Sequence, residues 1–285
     1  MQSSSFATTF LPIALAVIML GLGLSLQASD FTRIAKFPKA VLTGLICQML
    51  LMPVICFFVA KSFGLSPELA VGLMLLSASP GGAVANLYSH LSKGDVALNV
   101  TLTALNSLLT LFTLPLIVNF SLEHFLQHGQ YIPMQFRKVL EVFFMVLIPV
   151  SAGMLINRFY PDVSHKLSKP VKIVSALLLA TVIVIAVSKE GGRLKEFVQV
   201  VAPAALAFNL LSMTAGYFIP KAVRLSKREA IAIGMEIGIH NGTIAIYLAV
   251  HVLNNTVMAV PAAVYSLIMF FTAAAFGMLV NIGRK

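Results

Sequence analysis

The sequence predicts an all-α polytopic membrane protein with nine transmembrane helices, arranged as an inverted repeat in which two helices are discontinuous. Three observations predict it. Of 285 residues, 59% are hydrophobic and 11% charged, against about 25% charged in a soluble domain, and the mean hydropathy is +0.94. Clusters of charge and turn residues divide the chain into nine apolar stretches, each close to the ~20 residues that a spanning helix requires. Two of those stretches are interrupted by polar runs, Ser77 to Asn86 and Met235 to Thr243. Bare amides and carbonyls are not tolerated in hydrocarbon, so unwound backbone there is buried in protein or lines a wet cavity.

The first stretch, 6–26, reads as a retained span, because Met1 to Ser5 carry no positive charge and the apolar run exceeds a secretory signal core. The second, 38–61, holds Gln48, Pro53 and two cysteines, Cys47 and Cys56, expected to pack as small apolar residues without bridging. The third, 68–91, contains the first break. In the fourth, 95–120, the polar residues Asn99, Thr103, Asn106, Thr110 and Thr113 share one helical face. Thr110 and Thr113 are expected to make helix contacts. Asn99 and Thr103, brought toward Asn86 by a hairpin through Lys93-Gly94-Asp95, are expected to bind a cation. The remaining spans are 138–157, 170–190, 198–221, 228–252 with the second break, and 257–281.

Aligning on the breaks pairs 6–26 with 170–190, 38–61 with 198–221, 68–91 with 228–252, and 95–120 with 257–281, leaving 138–157 unpaired. An odd number of spans separates the breaks, so the paired units insert with opposite orientations, as in inverted-repeat transporters. The net charge of +10 does not indicate nucleic acid, because the basic residues follow topology. Six of the 20, Lys61, Arg137, Lys138, Lys189, Arg193 and Lys195, fall on one side, and the other 14 on the opposite side. The richer side is cytoplasmic, which puts the amino terminus outside and the carboxyl terminus in the cytoplasm of a bacterial inner membrane.

Among the acidic residues only Glu236 lies deep within a span. An ionised carboxylate at that depth costs about 2.5 to 3.5 kcal/mol on permissive insertion scales. No deep Lys or Arg accompanies it, so its counter-charge is a bound cation or a proton. His240 follows four residues later, a metal-pair spacing on an intact helix, but Gly238 and Asn241-Gly242 argue for a broken one. The imidazole is then a pH-sensitive ligand or a hydrogen-bonded group in a wet cavity. Half-helices starting after each break present free N–H groups that attract anions. A cation cage beside anion-attracting helix ends implies sodium and organic-anion symport by alternating access, with no cofactor beyond the coupling ion. The alternative is a proton-coupled organic-anion transporter using Glu236 and His240. An intramembrane enzyme is disfavoured, since no nucleophile sits with a plausible base, and a passive channel would show unsaturable conductance.

Gly21-Leu-Gly-Leu-Ser-Leu26, Gln48, Pro53, the run Ser79-Pro-Gly-Gly-Ala-Val-Ala-Asn86 through Gly94-Asp95-Val-Ala-Leu98, and Glu236-Ile-Gly-Ile-His-Asn241 together resemble the bile acid:sodium symporter family over nearly the whole chain. The resemblance implies a panel domain, here 6–26, 138–157 and 170–190, and a core domain whose two discontinuous helices cross near the midplane. It implies one sodium site at Asn86, Asn99, Thr103 and Glu236, with Asn99 in place of a Ser and Ala85 where a Ser is common. It implies a second at Gln48, Glu236, the carbonyls of Ile237 and Ile239, and His240, which replaces the usual Gln. Substrate contacts would fall on Gly82, Ala83 and Asn241. A small carboxylate such as pantoate or pyruvate fits these expectations as well as a steroid.

Overall fold

A computed structural model describes residues 9–32, 35–126, 136–188 and 194–282. Expectations placed on residues 6–8, Arg33, Lys189, Glu190, Arg193, Arg284 and Lys285 lie outside the described residues. In chain order the helices are α1 (Leu11–Ser25), α2 (Ala28–Thr32), α3 (Pro38–Ile46), α4 (Met52–Ser62), α5 (Pro67–Ser77), α6 (Ala83–Leu91), α7 (Val96–Phe125), α8 (Phe136–Phe159), α9 (Pro161–Ser188), α10 (Leu194–Ala222), α11 (Lys227–Gly238), α12 (Gly242–Tyr247) and α13 (Val260–Asn281). Among the described residues there is no strand, only an isolated antiparallel bridge between Gly81 and His240. Among the described residues six helices are long and apolar enough to cross a membrane: Pro38–Ser62, Val96–Phe125, Leu140–Phe159, Pro161–Ile185, Glu196–Ala222 and Val257–Asn281. Shorter apolar helices run over Leu11–Ser25, Pro67–Ser77 and Gly242–Val252.

Local chemistry explains where the helices change. Pro53 has no N–H to return to the preceding turn, and the chain responds with a π-helical turn over Cys47–Leu51, in which the Met52 N–H reaches back to the Cys47 carbonyl. Single π turns of this kind mark functional positions in many proteins. A second π turn, Leu248–Val252, continues α12. Between α6 and α7 the chain reverses through Lys93, at φ 59°. The Asp95 side chain then accepts from the Leu98 N–H at 3.0 Å and starts α7. Ser226 and Glu229 form a reciprocal capping box at the start of α11.

The faces of α7 sort as a bilayer demands. Leu108, Phe112, Leu116 and Phe120 are exposed along one side, while Asn99, Thr103 and Asn106 are fully buried on the other. Exposed apolar stripes of this extent belong in lipid. Thr113 donates to the Leu109 carbonyl of its own helix rather than to a neighbour. Cys47 and Cys56 are buried and unbridged, as their apolar surroundings predict. Asp30, which lies beyond the first apolar stretch, is 3% exposed and accepts from the Gln27 N–H at 2.7 Å, fastening the turn into α2.

α1 packs chiefly on α8 and α9, whereas α10 packs on α11 and α13, and α6 packs on α7 and α11. Small residues let α1 and α8 approach closely, because a Cβ on Gly23 would meet the Val150 backbone and one on Gly153 would meet the Leu20 carbonyl and the Leu24 N. Neither neighbour is a movable side-chain tip. Gly23→Ala or Gly153→Ala is therefore expected to force the helices apart and destabilise the protein by about 1–3 kcal/mol, as overpacking does. Thermal unfolding in detergent measures it.

Candidate functional site

The two breaks meet. After α5 the chain unwinds over 78–82, and α6 begins after its N-cap Gly82, whose φ of −107° and ψ of 166° are extended. After α11 it unwinds at Ile239, with φ −116° and ψ 96°, and Asn241 caps α12. An unbroken helix would send the Asn241 N–H to the Ile237 carbonyl. Instead it donates to the Pro80 carbonyl at 2.9 Å. The strands of unwound backbone thus satisfy each other, running antiparallel at Gly81 and His240. The Asn241 side chain also accepts from the Ile244 N–H at 3.2 Å, taking up one of the free amides expected at that helix start.

The glycines of the first break are not there for left-handed backbone, since neither Gly81 nor Gly82 has a positive φ. Gly81 is required by proximity, because a Cβ at that position would overlap the carboxylate of Glu236. Glu236 itself is 0% exposed. The Asn106 Nδ2 donates to its Oε1 at 3.0 Å. The Thr103 hydroxyl lies 2.7 Å from Oε2 and 3.0 Å from the Asn99 carbonyl. It has one proton, so it serves one acceptor at a time. Among the described residues no ion pair involves Glu236.

Oxygen acceptors accumulate around this carboxylate. Asn99 Nδ2 donates to the Ala232 carbonyl at 2.7 Å, yet its own Oδ1, together with Asn86 Oδ1 and Asn106 Oδ1, is buried without a donor. An unsatisfied buried acceptor costs about 1–3 kcal/mol, so such a set favours a donor or a cation that would join it. On the other side of the break, Gln48 Nε2 donates to the Ser77 and Ser79 carbonyls at 3.4 and 3.0 Å, and His240 Nδ1 lies 3.2 Å from the same Ser79 carbonyl. A carbonyl only accepts, which places the imidazole proton on Nδ1 and leaves Nε2 an acceptor. Nε2 and Gln48 Oε1 are both buried without a donor. The donor set is therefore rich in hard oxygens, which suit a cation such as sodium.

The structure joins Thr103 directly to Glu236, ties the Asn99 side chain to the Ala232 carbonyl, and links Gln48 to His240 through Ser79. Asn86 lies on α6, packed between α7 and α11. Ile237 and Ile239 sit where the helix opens, with Gly82 and Asn241 at the two helix starts. Ala83 opens α6, and its side chain lies outside the described residues. Sequence reasoning named Asn106 on the polar face but not as a partner of Glu236. It missed Asn209 and Tyr265, which both donate to the Gly238 carbonyl, at 2.8 and 2.9 Å, and so close that acceptor to any ion. Asn209, an amide amid apolar neighbours near the middle of the 198–221 span, was the available signal. Phe208 stacks on the His240 ring, at 5.6 Å between centroids.

Thr110, expected in a helix contact, instead lines a narrow cavity with Pro80, Ser107, Val142, Phe143 and Ile244. Its volume is about 20 Å³, room for about one water.

A family model described as the Sodium Bile acid symporter family matches residues 12–197, a stretch that includes the first break and stops short of the second. The chain is 27% identical over 266 residues to the uncharacterized sodium-dependent transporter YocS of Bacillus subtilis (strain 168), covering 92% of this chain and 80% of that protein. It is 28% identical over 259 residues to the probable sodium/metabolite cotransporter BASS2, chloroplastic, of Oryza sativa subsp. japonica, covering 90% and 60%. With the human ileal sodium/bile acid cotransporter it shares 27% identity over 210 residues, covering 74% and 59%. The chain thus spans only part of the rice and human proteins. All three relatives are named as transporters or cotransporters, not as enzymes.

Thr103→Val removes a donor 2.7 Å from a buried carboxylate oxygen while keeping its volume. It is expected to cost about 1–3 kcal/mol of stability, read as a lower midpoint of thermal unfolding. Thr103→Ser is expected to retain most of it.

Proposed function

The chain belongs to the sodium bile acid symporter family, and on that premise we propose that it is a sodium-coupled symporter of an organic anion working by alternating access. The observation that carries the proposal is the buried Glu236 carboxylate, held by the neutral donors Thr103 and Asn106 amid unpaired amide oxygens. Sodium is the cargo that completes it. Asn86, Asn99, Thr103 and Glu236 would hold one ion. Gln48, Glu236, the carbonyls of Ile237 and Ile239, and His240 would form the second site, with the imidazole a poorer ligand than an amide oxygen. The anion would lie beside the breaks at Gly82, Ala83 and Asn241, where the start of α6 adds a favourable dipole. Small carboxylates and bile-acid-like steroids are the candidate substrates.

The proposed architecture is nine spans in an inverted repeat, with α5–α6 and α11–α12 as its equivalent broken members. A two-fold axis in the membrane plane would lay the two unwound segments side by side in opposite directions, and the antiparallel bridge between Gly81 and His240 supports this. The packing of α1 with α8 and α9 supports a panel distinct from the rest, the core. Sodium would neutralise Glu236 and fix both breaks, the anion would follow, and the core would move against the panel. The amino terminus would face outward in a bacterial inner membrane.

The test is uptake into proteoliposomes of radiolabelled pyruvate, pantoate and taurocholate, with and without an inward sodium gradient, alongside thermal unfolding at increasing sodium. Saturating sodium, at roughly 100 times its Kd, is expected to stabilise the parent by about 2.7 kcal/mol. Glu236→Gln should lower sodium-driven uptake about tenfold or more, the effect of ~1.4 kcal/mol, and flatten the sodium response. Full sodium stimulation in that variant would defeat the role given to the carboxylate. Uptake driven equally by a pH gradient without sodium would replace sodium with the proton.

A further inference from the structure

One charged contact joins the second broken helix to the helix facing it across the cavity. Gly242–Val252 is a continuous helix whose first end is the break and whose last turn is π-helical. In that turn His251 Nε2 lies 2.7 Å from Glu141 Oε1 of α8, and the ring stacks on Tyr247 at 4.9 Å. Lys138 holds the other oxygen, Oε2, at 3.2 Å. The pair is only partly exposed, 15% for His251 and 34% for Glu141. Glu141 immediately precedes Val142 and Phe143, which line the cavity with Ile244 of the broken helix and Pro80 of the first break. Ile244 lies seven residues before His251, about 10 Å along a helix. The pair therefore sits at one end of the cavity, on the face of the membrane where the second broken helix finishes.

At about 20 Å³, the cavity is far below the ~300 Å³ of an ordinary small-molecule site. An organic anion reaches Pro80 and Ile244 only after α8 withdraws from the broken helix. We infer that Glu141 and His251 form a gate: their contact holds α8 against the second broken helix, closes the cavity on that face, and must separate for substrate to enter there. Resting on the alternating-access reading, the inference adds which residues latch the moving surfaces. The half-helix is the lever, because the same short rigid segment carries the Asn241 cap at one end and the latch at the other. A charge-assisted hydrogen bond between two helices is suited to two discrete arrangements, engaged or parted.

The test needs neither sodium nor a known substrate. Ser107→Cys puts a thiol on the cavity wall, and a membrane-impermeant maleimide is applied to proteoliposomes from the Glu141–His251 face. The chain without that thiol gives the background, Cys47 and Cys56 being 1% and 0% exposed. Glu141→Gln and His251→Gln are each expected to raise the labelling rate roughly fivefold, the worth of one partly exposed charged contact. The two together should raise it no further, and exchange of the residues, Glu141→His with His251→Glu, should return it toward the slow rate. Unchanged labelling in both single variants overturns the gate, as does an additive rise or one that the exchange fails to reverse. A chain that labels as expected yet shows no sodium-dependent stabilisation would defeat the sodium reading and leave the gate standing.

Discussion

A carboxylate in a dry, membrane-spanning interior is the constraint around which this molecule is arranged. Glu236 is fully buried, and its two hydrogen-bond donors are a hydroxyl and an amide rather than a charge. Neutral donors soften the cost of an ionised group in low dielectric, but they do not cancel it. The amide oxygens of Asn86, Asn99 and Asn106 add further negative potential without donors of their own. The carboxylate and the unpaired amide oxygens would favour a cation there, while the donors Thr103 and Asn106 steady the carboxylate in its absence. Binding and conformation are thereby linked, because a ligand shifts an equilibrium only by its differential affinity for the two states.

The cage is possible because two helices fail at the same place. One interrupted helix in a bilayer would leave amides and carbonyls stranded. Two interrupted helices laid antiparallel exchange them, as the Asn241 N–H does with the Pro80 carbonyl. The remaining carbonyls are sorted by side chains. Gly238 is saturated by Asn209 and Tyr265, and Ser79 is taken by Gln48 and His240. Gly81 then lets the first break lie directly on the Glu236 carboxylate. A shift of either break moves the ligand set of the other, so the pair behaves as a unit.

Two π turns frame this unit. One carries Gln48 to the Ser79 carbonyl, and the other carries His251 to Glu141. In each case the π turn holds one polar side chain against a partner on another element. Between α7, α8 and the breaks the cavity is narrow, about 20 Å³. The close α1–α8 contact through Gly23 and Gly153 keeps α8 with α1. Opening is then a movement of that pair as one body.

Membrane residence, the long apolar helices, both breaks and the singular position of Glu236 were all readable from the sequence, because each rests on a local rule. Hydrocarbon forbids charge and bare backbone, so departures from an apolar run stand out wherever they occur. The resemblance carried the family, which the match over residues 12–197 shows. Other features were decided only in three dimensions. Asn106 became a donor to Glu236, Asn209 and Tyr265 closed a carbonyl, Thr110 turned to the cavity, and Asp30 was buried in a turn. His251 found Glu141 across 110 residues of chain. Hydrogen bonds between distant helices depend on azimuth and register to within an ångström, and a periodic pattern along one helix says which face is polar but not what that face meets.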